Sequence, residues 1–339
     1  MFVARRIALF VAAVAVATAV VAPTASADRR DGPVVAQLAS FGNGDYVTGS
    51  TVGPDGALYV TDGNAGTVLR IDRESGQVST YADGLPLKAF TNDIGGPVDV
   101  AFLDGTAYVL VTLVSGEITG FGPFGDPDDK NGIYRLEPDG SYTVLADIGA
   151  WSAANPPAPA YFVDTGVQYS MAPYRGGLLV TDAHHNRLLW VDANGGISEV
   201  AAFDNVAPTG LEVATGRIFI TELGPIPHEP DDGKVLASRH GTHPTEIGRG
   251  ASMLIDVEQG TQGQLYALSQ GQWNRVAEGT PAFPNTGRLL VVEADGNLTP
   301  VTDALGQELV LDRPTSMEIV GHTAYVVSVV GDVYRIDNL

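Results

Sequence analysis

Residues 166–200 read GVQYSMAPYRGGLLVTDAHHNRLLWVDANGGISEV and contain one complete repeating unit. Their apolar residues fall in four short runs: Val167 to Met171, Leu178 to Thr181, Arg187 to Val191 and Ile197 to Val200. Arg175-Gly176-Gly177 divides the first pair and Asn194-Gly195-Gly196 the last. Both compositions accept positive φ and so close tight hairpins. The stretch therefore predicts a four-stranded antiparallel meander.

The unit recurs. Anchored on its second strand, the chain offers Leu58 to Asp62, Ala107 to Val111, Leu178 to Asp182, Ile218 to Glu222, Leu265 to Ser269 and Ala324 to Ser328. A tight turn precedes each, as in Pro54-Asp55-Gly56 and Ala214-Thr215-Gly216. Spacings of roughly 40 to 70 residues with one turn and one anchor each are those of propeller blades, so an all-β, six-bladed β-propeller is predicted. The last unit supplies only three runs, Met317 to Val320, Ala324 to Val329 and Val333 to Ile336, while Val34 to Leu38 is an orphan strand near the other end. Pairing the two completes the sixth blade, closes the ring and removes an exposed edge.

Ahead of the repeats, Arg5-Arg6, the apolar run Ile7 to Val21 and Ala25-Ser26-Ala27 have the order of a signal peptide over residues 1–27, cleaved after Ala27. The expectation is a secreted chain with one domain over residues 28–339. No later run reaches the roughly 20 apolar residues of a membrane span, so no transmembrane anchor is expected after cleavage. The 339 residues include no cysteine, 19 Lys and Arg against 40 Asp and Glu, and a net charge of −21. Loss of Arg5 and Arg6 makes it two units more negative, a surface that repels nucleic acid and anionic lipid. Without disulfides, stability has to come from packing.

The loops are very unequal. Links between first and second strands, and between third and fourth, are hairpin turns. The long segments are Gly84 to Gly96, Gly116 to Asn131, Gly149 to Thr165, Gly224 to Asp232 and Gln270 to Thr286. All of these join second to third strands or one blade to the next, and in an up-and-down meander both classes emerge at one end of the ring. Elaborated loops on a rigid scaffold are where binding resides. Their aromatics, Phe121, Phe124, Trp151, Tyr161, Phe162 and Trp273, are the candidate ligand contacts. Trp151 to Ala160 reads as a proline-stiffened loop across that face, with Trp151, Tyr161 and Phe162 tucked down.

Asp62, Asp182 and Glu222 each follow a threonine at the end of a second strand. Brought together at the channel mouth they could hold a divalent cation such as calcium or magnesium, with Ser50, Asp99, Asp256 and Ser316 of the first strands adding oxygen ligands. The same acids could instead cap the following turns. Asp126 to Glu137 only superficially resembles a calcium loop, because Lys130 and Asn131 occupy its ligand and glycine positions. His184-His185 and His228 with Glu229, Asp231 and Asp232 are the remaining candidates for metal or proton transfer. No Gly-x-Ser-x-Gly elbow or phosphate-cradling glycine motif is present, and the many glycines read as turn residues.

Tyr59 to Asn64 and Val180 to Leu188 resemble the strand-turn-strand signature of NHL-type propeller repeats. Pro208 to Val213, Ile218 to Pro225 and Gly120 to Phe124, with the leader, look like the ScyD/ScyE family of secreted bacterial propellers. That resemblance implies the fold and export, and no defined reaction. Similarity to gluconolactonase-like propellers would imply a metal-binding glutamate where Thr48-Gly49-Ser50 stands. Similarity to streptogramin-lyase-like propellers would imply a general-base histidine in a motif that His184 and His185 do not match. The expected function is a binding module for a small molecule, glycan or protein on the long-loop face. The alternative is a metal-dependent lactonase or lyase at the channel mouth.

Overall fold

The computed structural model describes residues 32–41, 47–91, 94–225, 227–276 and 280–339. They form six antiparallel blades in a ring. Blade 1 is Val47–Val52, Leu58–Asp62, Thr67–Ile71 and Val78–Ala82; blade 2 is Gly96–Leu103, Thr106–Thr112, Gly132–Leu136 and Tyr142–Asp147. Blade 3 is Gln168–Tyr174, Gly177–Asp182, Arg187–Val191 and Ile197–Ala202; blade 4 is Pro208–Ala214, Arg217–Glu222, Gly233–Ser238 and Thr245–Ala251. Blade 5 has Leu254–Gln259, Leu265–Ser269 and Gly287–Val292, and its outer position is shared by Leu298–Pro300 and Val310–Leu311. Blade 6 takes Pro314–Val320, Thr323–Ser328 and Asp332–Asp337 from one end of the chain and Val34–Ser40 from the other. Val34 pairs with Asp337 and Ser40 with Asp332, antiparallel, so the ring closes as the orphan strand requires.

The second strands are nearly continuous apolar runs because both their faces are buried. Leu58 and Val60 pack with Val327 and Val333 of blade 6, whereas Tyr59 between them packs with Val100 and Val109 of blade 2. Period-2 alternation thus divides each strand between two interfaces. The described residues form six apolar clusters, one at each blade junction.

Every first strand, the innermost, departs from regular register near the long-loop face. The shifts lie at 47/50, 97/99, 168/171, 208/211, 254/256 and 314/316. In blades 1, 3 and 4 two residues oppose a single threonine, whose Oγ1 accepts the freed N–H: Gly49 to Thr61 at 3.0 Å, Ser170 to Thr181 at 3.1 Å, Gly210 to Thr221 at 2.9 Å. Gly49 and Gly210 are therefore not turn residues. A Cβ on Gly49 would lie 2.6 Å from the Asp99 Cα and one on Gly210 would lie 2.4 Å from the Asp256 Cα, so glycine is what admits the next blade.

The blades are stitched together around the axis. Thr48 donates to the Pro97 carbonyl (3.4 Å), Thr112 to Gln168 Oε1 (3.0 Å), Thr181 to the Thr209 carbonyl (2.6 Å) and Thr209 to the Leu254 carbonyl (2.8 Å). Asp256 accepts the Met317 N–H (2.7 Å), and Thr315 donates to the Val47 carbonyl (3.1 Å). All six junctions carry such a bond. Thr209→Val keeps the shape of the side chain but leaves a buried carbonyl unpaired, and should lower unfolding free energy by about 1–3 kcal/mol in a denaturant titration. A change within error would show that the stitch contributes no net stability.

The candidate functional site

The ring axis holds two chambers. Thr48, Ile94, Tyr169, Ile255 and Thr315 line both and form the partition between them. Tyr169 of blade 3 reaches across to blade 6, its hydroxyl donating to the Thr315 carbonyl at 3.4 Å.

On the hairpin side, a chamber of about 310 Å³ is lined by Asp99, Glu212, Asp256, Glu258 and Glu318. Burial pushes the Asp99 pKa up to about 7 against the N–H groups of Met171 and Val100 and the Ser170 hydroxyl, which favour the anion. Burial and mutual repulsion push Asp256, Glu258 and Glu318 well up too. Ser50 and Ser316 meet here at 2.8 Å, which places the four first-strand residues named above in this chamber.

On the long-loop side is a cavity of about 270 Å³. All five long segments supply wall: Phe90 and Ile94, Ile118, Phe162 and Val163, His228, and Gln270 with Thr280 and Pro281. Leu113, Ala183, Leu223, Gln270 and Val329, each one step beyond the end of a second strand, line it too, as do Val167, Ala207 and Met253, each one step ahead of a first strand. No Asp, Glu, Lys or Arg lines it among the described residues.

Asp62, Asp182 and Glu222 therefore line neither chamber, although Ala183 and Leu223, which follow Asp182 and Glu222, line the apolar one. Asp62 Oδ1 accepts the N–H groups of Asn64 (2.9 Å) and Ala65 (3.0 Å) in the following turn. Asp182 Oδ1 accepts from Val167 (3.1 Å) and His185 (3.3 Å), while its Oδ2 meets Arg187 Nε at 3.1 Å. Burial opposes ionisation of Asp182, yet His185 and Arg187 outweigh it and hold the carboxyl below the usual range. Glu222 has the reverse balance: burial raises it to about 7, against Lys234 and with Glu246. Among the described residues no three His, Asp or Glu side chains come close enough to share a metal.

The segment read as a loop from Trp151 begins instead in a helix, Ile148–Ala154, capped by Asp147 Oδ1 accepting from Ala150 N–H at 2.8 Å. The sequence Ile-Gly-Ala-Trp-Ser-Ala-Ala has no proline until Pro156, and the Asp N-cap was the signal missed. Trp151 lies under Arg187, whose guanidinium carbon is 4.9 Å from the ring centroid. Arg187 is only 1 % exposed and donates to Asp182, the Asn155 carbonyl and Ser152 Oγ, riveting the helix to blade 3. The other aromatics differ. Phe162 is in the cavity wall and 42 % exposed rather than tucked down; Phe124 backs wall residue Phe90 at 4.9 Å; Tyr161 packs on His184 at 5.4 Å. Trp273 backs His228 at 5.4 Å, and Phe121 projects from a hairpin, Ser115–Ile118 with Gly122–Gly125, 91 % exposed. Asp126 and Glu137 are separated by the whole of strand Gly132–Leu136, which is no calcium loop.

The paired histidines clamp one residue of the long segment. His184 Nε2 accepts the Val163 N–H at 3.2 Å, and His185 Nε2 meets the Val163 carbonyl at 2.9 Å. Burial lowers the His184 pKa to about 4, so the ring is neutral near pH 7.

Two outcomes follow from these charges. Asp99 and Glu222 titrate near 7 in the fold but near ~4 in the unfolded chain. Between those values the folded state retains protons that the unfolded state has lost, so stability falls as pH rises through roughly 4 to 7. Thermal unfolding across that interval should show the decline, with a shallower slope in Asp99→Asn; a rising curve would contradict it. Arg187→Met strands the Asp182 carboxylate and should cost about 3–5 kcal/mol by denaturant unfolding, whereas a loss below about 1 kcal/mol would mean that the pair is dispensable.

No protein-family description matches the chain, and no curated protein matches it. Solved structures do. Virginiamycin B lyase from Staphylococcus aureus is 13% identical over 91% of this chain and 100% of its own, with a TM-score of 0.56. A gluconolactonase from Xanthomonas campestris is 12% identical over 89% of each chain, TM-score 0.56. The PQQ-bound aldose sugar dehydrogenase from Streptomyces coelicolor is 12% identical over 91% of this chain and 98% of its own, TM-score 0.57. At these identities the likeness establishes the fold, and the chain is a six-bladed β-propeller.

Proposed function

We propose that this protein is an exported binding propeller of the ScyD/ScyE type that takes up a small, mainly apolar molecule at its long-loop face. The cavity of about 270 Å³ carries the reading, because all five long segments converge on it. A concave, predominantly apolar pocket with a few polar groups is the usual form of a small-molecule site. Export rests on the leader sequence, and the family on the short motifs quoted above. The structural relatives named as lyase, lactonase and dehydrogenase have different chemistries on one scaffold, so the site has to decide. The lactonase or lyase alternative needs carboxylates at the channel mouth. Here Asp62 and Asp182 cap turns, and the five chamber carboxylates lie beyond the Tyr169 partition.

The neutral fluorophore N-phenyl-1-naphthylamine should bind the protein with enhanced emission. Ala183→Trp fills the cavity from its rim and should weaken that binding roughly tenfold or more. Unaltered binding in the variant would move the site elsewhere, and no binding by the wild type would overturn the reading.

A further inference from the structure

On the hairpin face, the turns between third and fourth strands are acidic in blades 1, 2, 3 and 5. There Asp72, Asp139, Asp192 and Asp295 accept backbone N–H groups of the turn at 2.7–3.1 Å. Blade 4 departs from this. Its turn reads Arg239-His240-Gly241-Thr242-His243, and capping falls to Ser238, whose Oγ accepts the His240 N–H at 3.3 Å and donates to the Thr242 carbonyl at 2.8 Å. Arg217 stands beside this turn, because the next residue, Ile218, pairs with Ser238. Arg217, Arg239, His240, Thr242 and His243 line a depression of about 420 Å³. Arg175, from the first hairpin of blade 3, reaches it across the blade junction, with Nη2 at 2.9 Å from His240 Nδ1. A guanidinium only donates, so Nδ1 accepts and the proton of the His240 ring is on Nε2, free to be given to something else.

These arginines lack the partners that others in the chain have. Among the described residues, the arginines without an ion pair are Arg73, Arg175, Arg217 and Arg239, and the last three meet here. No Asp or Glu lines the depression among the described residues, in a chain with 40 of them. Arg175 and Arg217 lie over the rings of Tyr174 (4.9 Å) and Phe219 (5.4 Å), stacks that steady the guanidinium plane and leave its edge N–H groups to donate.

Like charges gathered without a counter-ion repel one another, and a bound anion relieves that repulsion. A carboxylate brings one charge and two oxygens, whereas a phosphate brings nearly two charges and at least three oxygens, which suits two guanidinium forks and a ring N–H together. We propose that this depression is an anion site that takes a phosphate group, held by Arg217 and Arg239 with His240 as a further donor and Arg175 orienting that ring. The site is on the face opposite the apolar cavity and does not depend on what the cavity binds.

Titration calorimetry at pH 7 and low ionic strength, where screening is weak, tests it with inorganic phosphate and acetate as probes. Wild type should bind phosphate roughly tenfold tighter than acetate. Arg217→Gln and Arg239→Gln, both at exposed positions, should each weaken phosphate binding about tenfold. Arg249→Gln removes the same charge from an exposed arginine that is paired with Glu246, and should leave phosphate affinity within about twofold. Methyl phosphate separates two sources of the group: comparable affinity supports a phosphate carried on a larger molecule, and exclusion supports the free ion. Absence of binding by either phosphate overturns the proposal. So does acetate binding as tightly as phosphate, or Arg249→Gln weakening phosphate as much as the other two, since the arginines would then act only through the net charge of the protein.

Discussion

The structure depends on how the innermost strands solve a hydrogen-bonding problem. Six strands converging on an axis cannot all keep regular ladder pairing and still approach each other, and here each breaks register close to the long-loop face. A bulge frees a backbone N–H, which is costly when buried. In blades 1, 3 and 4 a threonine hydroxyl accepts it, and Thr181, like Thr209 on the strand beside it, also bonds to the next blade. The Val-Thr-Asp signature thus distributes three tasks over three residues: core packing, bulge pairing and turn capping. Ring closure by Val34–Ser40 then leaves blade 6 with the same four strands as the others.

The same geometry divides the axis into unlike halves. Above the Tyr169 partition the walls come from the long segments and from residues just past the second strands, and they are apolar with two neutral-leaning histidines. Below it the walls come from the first strands beyond their bulges, where burial raises the pKa values of five carboxylates and repulsion lifts Asp256, Glu258 and Glu318 further. Along a strand, a residue one position earlier or later faces a different environment. That single step separates Asp182, buried against Arg187, from Ala183 in the cavity rim.

Much of this was legible in the chain. The anchors, the orphan strand and the one-sided insertions predicted six blades, closure and the elaborated face, because turn chemistry and period-2 burial are local properties. Site residues were legible only in part. Phe162 and His228 were singled out and do line the cavity, and Phe124, Tyr161 and Trp273 stand one layer behind its wall. Phe90, Leu113, Tyr169 and Gln270 carried no individual signal. Trp151 belongs to the Arg187 rivet, which joins residues 32 and 35 positions apart.

By itself the sequence determined what depends on neighbours along the chain: strand periodicity, hairpin turns, segment lengths and the absence of disulfides. Tertiary structure alone decided which acids cap turns and which repel one another across the axis. It decided that Gly49 and Gly210 serve close approach, and that His228 Nδ1 and Trp273 Nε1, 45 residues apart in sequence, are buried without a partner among the described residues. The physical reason is that these contacts join residues far apart along the chain, and only strands packed around an axis bring them together.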